Sequence, residues 1–313
     1  MERMILLGVN EILREYRQDL ETMNLTDETV RNYYSMVKIF LEFMRENGYD
    51  IFNAERFAFI QFLQYLKNER KISFKRIKYY FTALASFYDF LVYAGYISSN
   101  PIPAIRKRYL KSYKRNDTPA KRKLISVEEM AAFINSIMDP RDKAIAILLA
   151  KTGIRKGELI RIDVDDINWE EMSITLKPTP KRSNRIVFFD AECAKILKRW
   201  LRIREKLNVK TKALFVNQYG GRLERNGVYE AIVKWAKKFG IYDVNSDKLE
   251  DHFNPHCFRH WFTTMLLRNG MPREYVQELR GDARNEAIDI YHHIDKEELR
   301  KAYLAAIPKL GVE

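Results

Sequence analysis

Apolar positions recur at helical spacing along most of this chain and give way to short strand-like runs only once, near its middle. From Thr26, the stretch TDETVRNYYSMVKIFLEFMREN opens with a side chain able to cap a helix and with two acids suited to the positive end of the helix dipole. Val30, Tyr33, Val37, Phe40, Phe43 and Met44 then fall on one stripe and Gly48 ends it, which predicts an amphipathic helix. FAFIQFLQYLKNE and SFKRIKYYFTALASFYDFLVYAG repeat the pattern, the second capped by Ser73 and ended at Gly95, so residues 1–105 are expected to form a helical bundle. SSNPIPAI carries two helix-interrupting prolines, and residues 106–124, RKRYLKSYKRNDTPAKRKL, show neither apolar period nor turn grammar, as a linker would. A second domain, 125–313, is expected to start with a helix at Ser126, followed by PRDKAIAILLAKTG, an apolar helix closed by Gly153. SITL and RIVFF read as two strands flanking the basic turn KPTPKRSN. Helical spacing resumes after Asp190 and runs through KEELRKAYLAAI. The fold class expected is mostly α, in two domains, with a small antiparallel sheet in the second.

Composition narrows the reading. With 313 residues, 46% apolar, the chain is long enough for two cores, and no run of about 18 uncharged apolar residues offers a membrane span. The N-terminus mixes charge with its apolar positions and lacks the order of a secretory signal, so a cytoplasmic location is expected. Cys193 and Cys257 show no pairing pattern, and no disulfide is expected. The net charge of +13 is unevenly spread: 13 basic against 13 acidic residues over 1–105, nine against one over 106–124, and 33 against 28 over 125–313. Concentrated charge of this kind suits a strap that neutralises phosphates of duplex DNA, through Arg106, Lys107, Arg108, Lys111, Lys114, Arg115, Lys121, Arg122 and Lys123, although a solvated linker has the same composition. Six basic residues between Lys67 and Lys78 add a second candidate DNA-facing end, at Ser73, Lys75, Arg76 and Lys78.

Candidate chemistry lies in the second domain. All five histidines fall in the last 62 residues, and His256 and His260 have the i, i+4 spacing of a helical zinc pair. Arg259 lies between them and no glutamate is placed to act as base, so neither a metal nor any other cofactor is expected. The informative pattern is an ordered set: Arg155 with Glu158 three residues on, a basic hairpin turn containing Lys181, His256-x-x-Arg259, and Tyr291 in IDIYHHID. Arginine forks match the oxygens of a phosphodiester under attack, and a phenol needs its proton removed as it attacks. Each residue also has a plain structural reading. Tyr291, next to Ile288 and Ile290, could sit in a core, the arginines could pair with Glu158 or Asp282, and the turn offers Lys177 and Arg182 beside Lys181.

With these motifs in order, the chain resembles the tyrosine recombinase family of phage integrases and Xer resolvases over nearly its whole length. The resemblance implies a helical core-binding domain, an α+β catalytic domain, and a homotetramer assembled on two duplex sites. It implies that Arg155 and Arg259 hold the scissile phosphate and that Tyr291 attacks it to form a 3′-phosphotyrosine, without metal or ATP. It also implies that Lys181 protonates the leaving 5′ oxygen, that His256 assists proton transfer, and that Glu158 orients an arginine. One departure stands out: where the family usually has Leu-Gly-His, nine residues before the nucleophile, this chain has Arg280, Gly281 and Asp282. A carboxylate accepts hydrogen bonds but donates none, so Asp282 either pairs with Arg259 or Tyr291 as an orienter or leaves the donor's role to Arg280 or His292. This form resembles that of archaeal and archaeal-element integrases. A noncatalytic DNA-binding protein on the same fold and a type IB topoisomerase-like relaxase are the competing readings. The stripe Leu299, Tyr303, Leu304 and Ile307 predicts a C-terminal helix, docked on its own domain or on a neighbouring subunit.

Overall fold

In a computed structural model, the chain is described for residues 2–111, 123–178, 185–207, 209–246, 248–282 and 294–312, with side chains from residue 10 onward. It divides into two units, Met1–Thr118 and Pro119–Glu313.

Among the described residues, the regular structure of the first unit is all helical. Helix α1 (Glu2–Thr22) precedes α2 (Asp27–Glu46), which Thr26 caps by accepting the N–H of Thr29. Helix α3 (Arg56–Gln64) continues into a π-helical turn at Tyr65–Glu69, and α4 (Phe74–Tyr93) starts at the cap Ser73. Phe40 and Met44 of α2, Phe59 and Phe62 of α3, and Phe81, Phe87 and Tyr88 of α4 meet in an aromatic core. The Tyr88 hydroxyl donates to the Ile51 carbonyl and that of Tyr16 to the Ala83 carbonyl, so burial leaves neither unsatisfied.

Within the helical bundle expected over residues 1–105, the N-terminal stretch forms α1 and buries Tyr16 and Leu20 completely, and one feature departs from the sequence reading. The proline-bearing segment does not end helical structure but begins α5 (Ile102–Tyr109), which carries Arg106, Lys107 and Arg108 into the first unit. Pro101 and Pro103 sit where a missing N–H costs nothing, at the cap and in the first turn, and Ile102 and Ile105 are buried.

In the second unit, α6 (Val127–Ser136) opens with a reciprocal capping box between Ser126 and Glu129, and α7 (Pro140–Thr152) is buried over Ala144–Ala150. A helix apolar on every side must be covered on every side, and α7 is the spine of this unit. The one-turn α8 (Lys156–Leu159) leads through a 3-10 turn, Val164–Asp166, to a three-stranded antiparallel sheet. The sheet runs β1 (Ile167–Asn168), β2 (Ser173–Leu176), β3 (Arg185–Phe188), with Ile174 opposite Val187 and Leu176 opposite Arg185. Helices α9 (Ala191–Arg204), α10 (Arg225–Phe239), α11 (Pro255–Arg268), α12 (Arg273–Arg280) and α13 (Lys296–Ala306) complete it. The strand β1 is too short to carry an alternation of its own.

Helix α13 packs Leu299, Tyr303, Ala306 and Ile307 against Phe188, Phe262, Leu266, Val276 and Leu279 of its own unit, while Leu304, read into the same stripe, is 41% exposed. Fully buried Lys151 reaches Asp190 at 2.5 Å, Glu192 at 2.7 Å and the Pro308 carbonyl at 2.7 Å. Its charge is thereby paired on all sides, as burial demands. Among the described residues no helix is long and apolar enough to cross a membrane.

Candidate active site

Three chain segments converge on one small polar site. Gly153 ends α7 in the left-handed region (φ 59°) and turns the chain into the segment that carries Arg155. Arg155 stands immediately before α8, where its backbone N–H donates to Glu158 Oε2 at 2.7 Å. Arg259 lies one turn into α11, a helix started by Pro255 and by Asn254, whose Oδ1 accepts the His256 N–H at 3.0 Å. Gly281 ends α12 at φ 57° and sets Asp282 beside both arginines.

The hydrogen bonds there are shared. Arg155 donates from Nη1 to the Arg280 carbonyl at 3.2 Å and from Nη2 to Asp282 Oδ1 at 3.2 Å. Arg259 Nη2 reaches the same two oxygens, at 2.9 and 3.0 Å, and its Nη1 donates to the Gly153 carbonyl at 2.9 Å. Asp282 Oδ2 is 3.0 Å from Arg280 Nε. Three guanidinium groups thus surround one carboxylate. Burial, together with the nearby charges of Arg155 and Arg280, pushes the Arg259 pKa down to about 9, with Asp282 acting against the shift, so Arg259 stays protonated at neutral pH. Arg259 is 4% exposed, whereas the Arg155 side chain is 33% exposed and faces solvent more openly.

Behind these residues lies an arginine that the sequence reading did not single out. Arg185, 8% exposed, clasps Glu158 with both fork nitrogens, at 2.7 Å to Oε1 and 3.0 Å to Oε2. Arg155 Nη1 is 3.6 Å from the same carboxylate. Burial alone would raise the pKa of Glu158, but the bonds and charge of Arg185 and the Arg155 N–H outweigh it and hold the carboxyl below its ordinary range. The arginine that Glu158 chiefly engages through its side chain is therefore Arg185. Arg185 opens the strand RIVFF directly after the basic turn and continues its run of charge; only its depth in the fold separates it from the cations beside it.

His256 is exposed in the first turn of α11, one turn before Arg259. Lys181 and Tyr291, with Arg182 and His292, lie outside the described residues, as do Lys114, Arg115, Lys121 and Arg122. The turn's other lysine, Lys177, is engaged by Asp163 and lies 3.3 Å from Asp166.

In the first unit, the two basic stretches meet. A cleft of about 390 Å³ is lined by Lys78 of α4 and by Pro103, Arg106, Lys107 and Leu110 at α5. Lys75, Arg76, Arg108 and Lys111 are exposed, while the Ser73 hydroxyl accepts the Arg76 N–H at 3.4 Å as the cap of α4. Lys123, in the second unit, is half-buried.

Residues 125–298 match the phage integrase family, and residues 12–96 match the N-terminal SAM-like domain of phage integrases. Tyrosine recombinase XerC of Leptospira interrogans is 26% identical over 307 residues, covering 96% of this chain and 94% of that protein. XerC of Oceanobacillus iheyensis is 28% identical over 295 residues, covering 91% and 92%. Among solved structures, XerH recombinase bound to a palindromic difH substrate in a post-cleavage complex shares the fold with a TM-score of 0.67, at 22% identity over 87% of this chain and 78% of that one. A lambda integrase dimer bound to a COC′ core site also gives 0.67, at 16% identity over 92% and 79%.

Proposed function

This chain belongs to the phage integrase family and is a site-specific tyrosine recombinase, and we propose that Arg155 and Arg259 grip the scissile phosphate of duplex DNA while Tyr291 attacks it. The observation that carries this reading is the convergence of two guanidinium groups, 104 residues apart in sequence, on one carboxylate oxygen and one carbonyl. Two forks fixed side by side in this way support a reading in which they receive an oxyanion without rearranging when the substrate arrives. In the attack, the Tyr291 phenolic oxygen forms a bond to phosphorus, the bond from phosphorus to the 5′ oxygen breaks, and Lys181 supplies that oxygen's proton. His256 assists proton transfer by taking up the proton that the phenol loses as it attacks. The 3′-phosphotyrosine retains the energy of the phosphodiester, so the reverse attack by a 5′ hydroxyl rejoins a strand without ATP. Asp282 offers no donor to the phosphate. Its role is to hold both forks in register, and the net positive charge of the three arginines remains available to the substrate.

On this reading the Lys78, Arg106 and Lys107 cleft tracks the DNA backbone, with Lys75, Arg76, Arg108, Lys111 and the rest of the basic strap adding phosphate contacts. Two duplexes and four cuts call for a homotetramer, acting in the cytoplasm. Covalent capture tests the chemistry: the wild type is incubated with nicked duplexes carrying a library of sites, and DNA that resists denaturing extraction is recovered. Wild type is expected to yield such DNA and Tyr291→Phe none; no such DNA from wild type would leave the fold with a noncatalytic role, equal yields from both would place the nucleophile on another residue, and relaxation of plasmid without strand exchange would favour a topoisomerase.

A further inference from the structure

We propose that Arg185 is a positioning residue for strand cleavage, holding in one arrangement the segment that presents Arg155 and the segment that presents the Arg280 carbonyl and Asp282. This rests on the reading of Arg155 and Arg259 as the phosphate-binding pair. Arg185 Nη1 and Nη2 take both oxygens of Glu158, at 2.7 and 3.0 Å, and that carboxylate also accepts the Arg155 N–H at 2.7 Å. The position of Arg155 is thus set through a carboxylate that Arg185 itself immobilises. The third donor, Nε, reaches the Leu279 carbonyl at 3.1 Å, one residue before the carbonyl that both clamp arginines share. Gly281 completes the contact: a Cβ there would come within 2.7 Å of Arg185 Cδ and 2.8 Å of Nε and Nη1. The backbone between Arg280 and Asp282 is therefore laid directly on the Arg185 guanidinium. Arg185 also pairs with Leu176 at the last register position before the hairpin turn, so the base of that turn is tied to the same carboxylate.

One planar fork serves β3, α8 and the end of α12 at once. A lysine ammonium is a single point of charge and cannot present two parallel N–H groups to Glu158 and a third to Leu279. A buried ion pair by itself is weak evidence of stabilisation, since apolar residues of similar volume often replace one at no cost. What marks this pair as positioning is that each of its contacts ends on a segment carrying a clamp group.

The test compares wild type, Arg185→Lys, and the apolar double variant Glu158→Leu/Arg185→Met on the nicked duplex that wild type captures covalently. Each is assayed with the natural scissile phosphate and with a methylphosphonate in its place. Both variants are expected to bind the duplex within about two-fold of wild type and to cleave the natural phosphate at least about ten-fold more slowly. The deficit relative to wild type should shrink on the methylphosphonate, whose neutral substituent demands less of a charged clamp. A deficit of equal proportion on both substrates marks general loss of fold and overturns the proposal, as does wild-type cleavage by the double variant. A wild type that forms no adduct overturns this proposal and the recombinase chemistry together; a normal wild type with unaffected variants overturns this proposal alone.

Discussion

Asp282 stands where the resemblance implies a histidine, and its surroundings explain how an acid is held there. Its Oδ1 lies 3.2 Å from Arg155 Nη2 and 3.0 Å from Arg259 Nη2, so it satisfies donors that would otherwise be left in a largely buried site. Asp282→Ala should therefore cost about 1–3 kcal/mol in denaturant unfolding, because the Arg259 fork loses its charged acceptor. Asp282→Asn retains an acceptor and should fall between Ala and wild type; equal stability of all three would show that the carboxylate does not support the forks. Glu158 gives a pH dependence. Its folded pKa is depressed, so its contribution is complete above the ordinary glutamate pKa and is lost as pH falls through the lowered folded value. Stability should decline on acidification below about pH 4, and Glu158→Gln should flatten that slope in a series of urea melts; an unchanged slope would contradict the assignment. At this scale the sequence displayed Arg155, Glu158, Arg259 and Asp282, because ordered spacing is a property of the chain. Arg185 was hidden, because the burial of a charge among three segments is a property only of the fold.

Among the elements, two glycines at helix ends carry the site. A Cβ on Gly153 would lie 2.3 Å from Phe262 Cδ1, and one on Gly281 would lie 2.7 Å from Arg185 Cδ; both residues have positive φ. Alanine at either is strained in the backbone and displaces a packed neighbour, with an expected loss of about 2 kcal/mol or more. The two should part company in function. Gly281→Ala moves Arg185 and should slow covalent capture beyond what its thermal shift explains, while Gly153→Ala meets the ring of Phe262 and should affect stability foremost; the opposite ranking would contradict this account. Helix caps, the central apolar helix and the hairpin were readable from Thr26, Ser73, Ser126, Gly153 and the SITL and RIVFF runs, since each is local. The helix α5 was not, because two prolines read as breakers wherever their position in the first turn is unknown.

For the whole molecule, the sequence made the charge distribution plain, but not that α5 lifts Arg106 and Lys107 from the expected linker onto the first unit beside Lys78. Replacing these three by alanine should weaken binding to any duplex and reduce the slope of log affinity against log salt by about 2–3. A slope unchanged in titrations from low to moderate salt would remove the cleft from the DNA path. The two-unit division and the mostly α class were legible because helical spacing persists on both sides of a segment with almost no acids; the assembly of units on DNA is written in the partner as much as in the chain. The central claim is that this fold breaks DNA through one phenol. Covalent adducts of wild type, trimmed by nuclease and protease and sequenced by mass spectrometry, should carry a nucleotide phosphate on the peptide containing Tyr291. A nucleotide on any other residue, or no modified peptide at all, would contradict it.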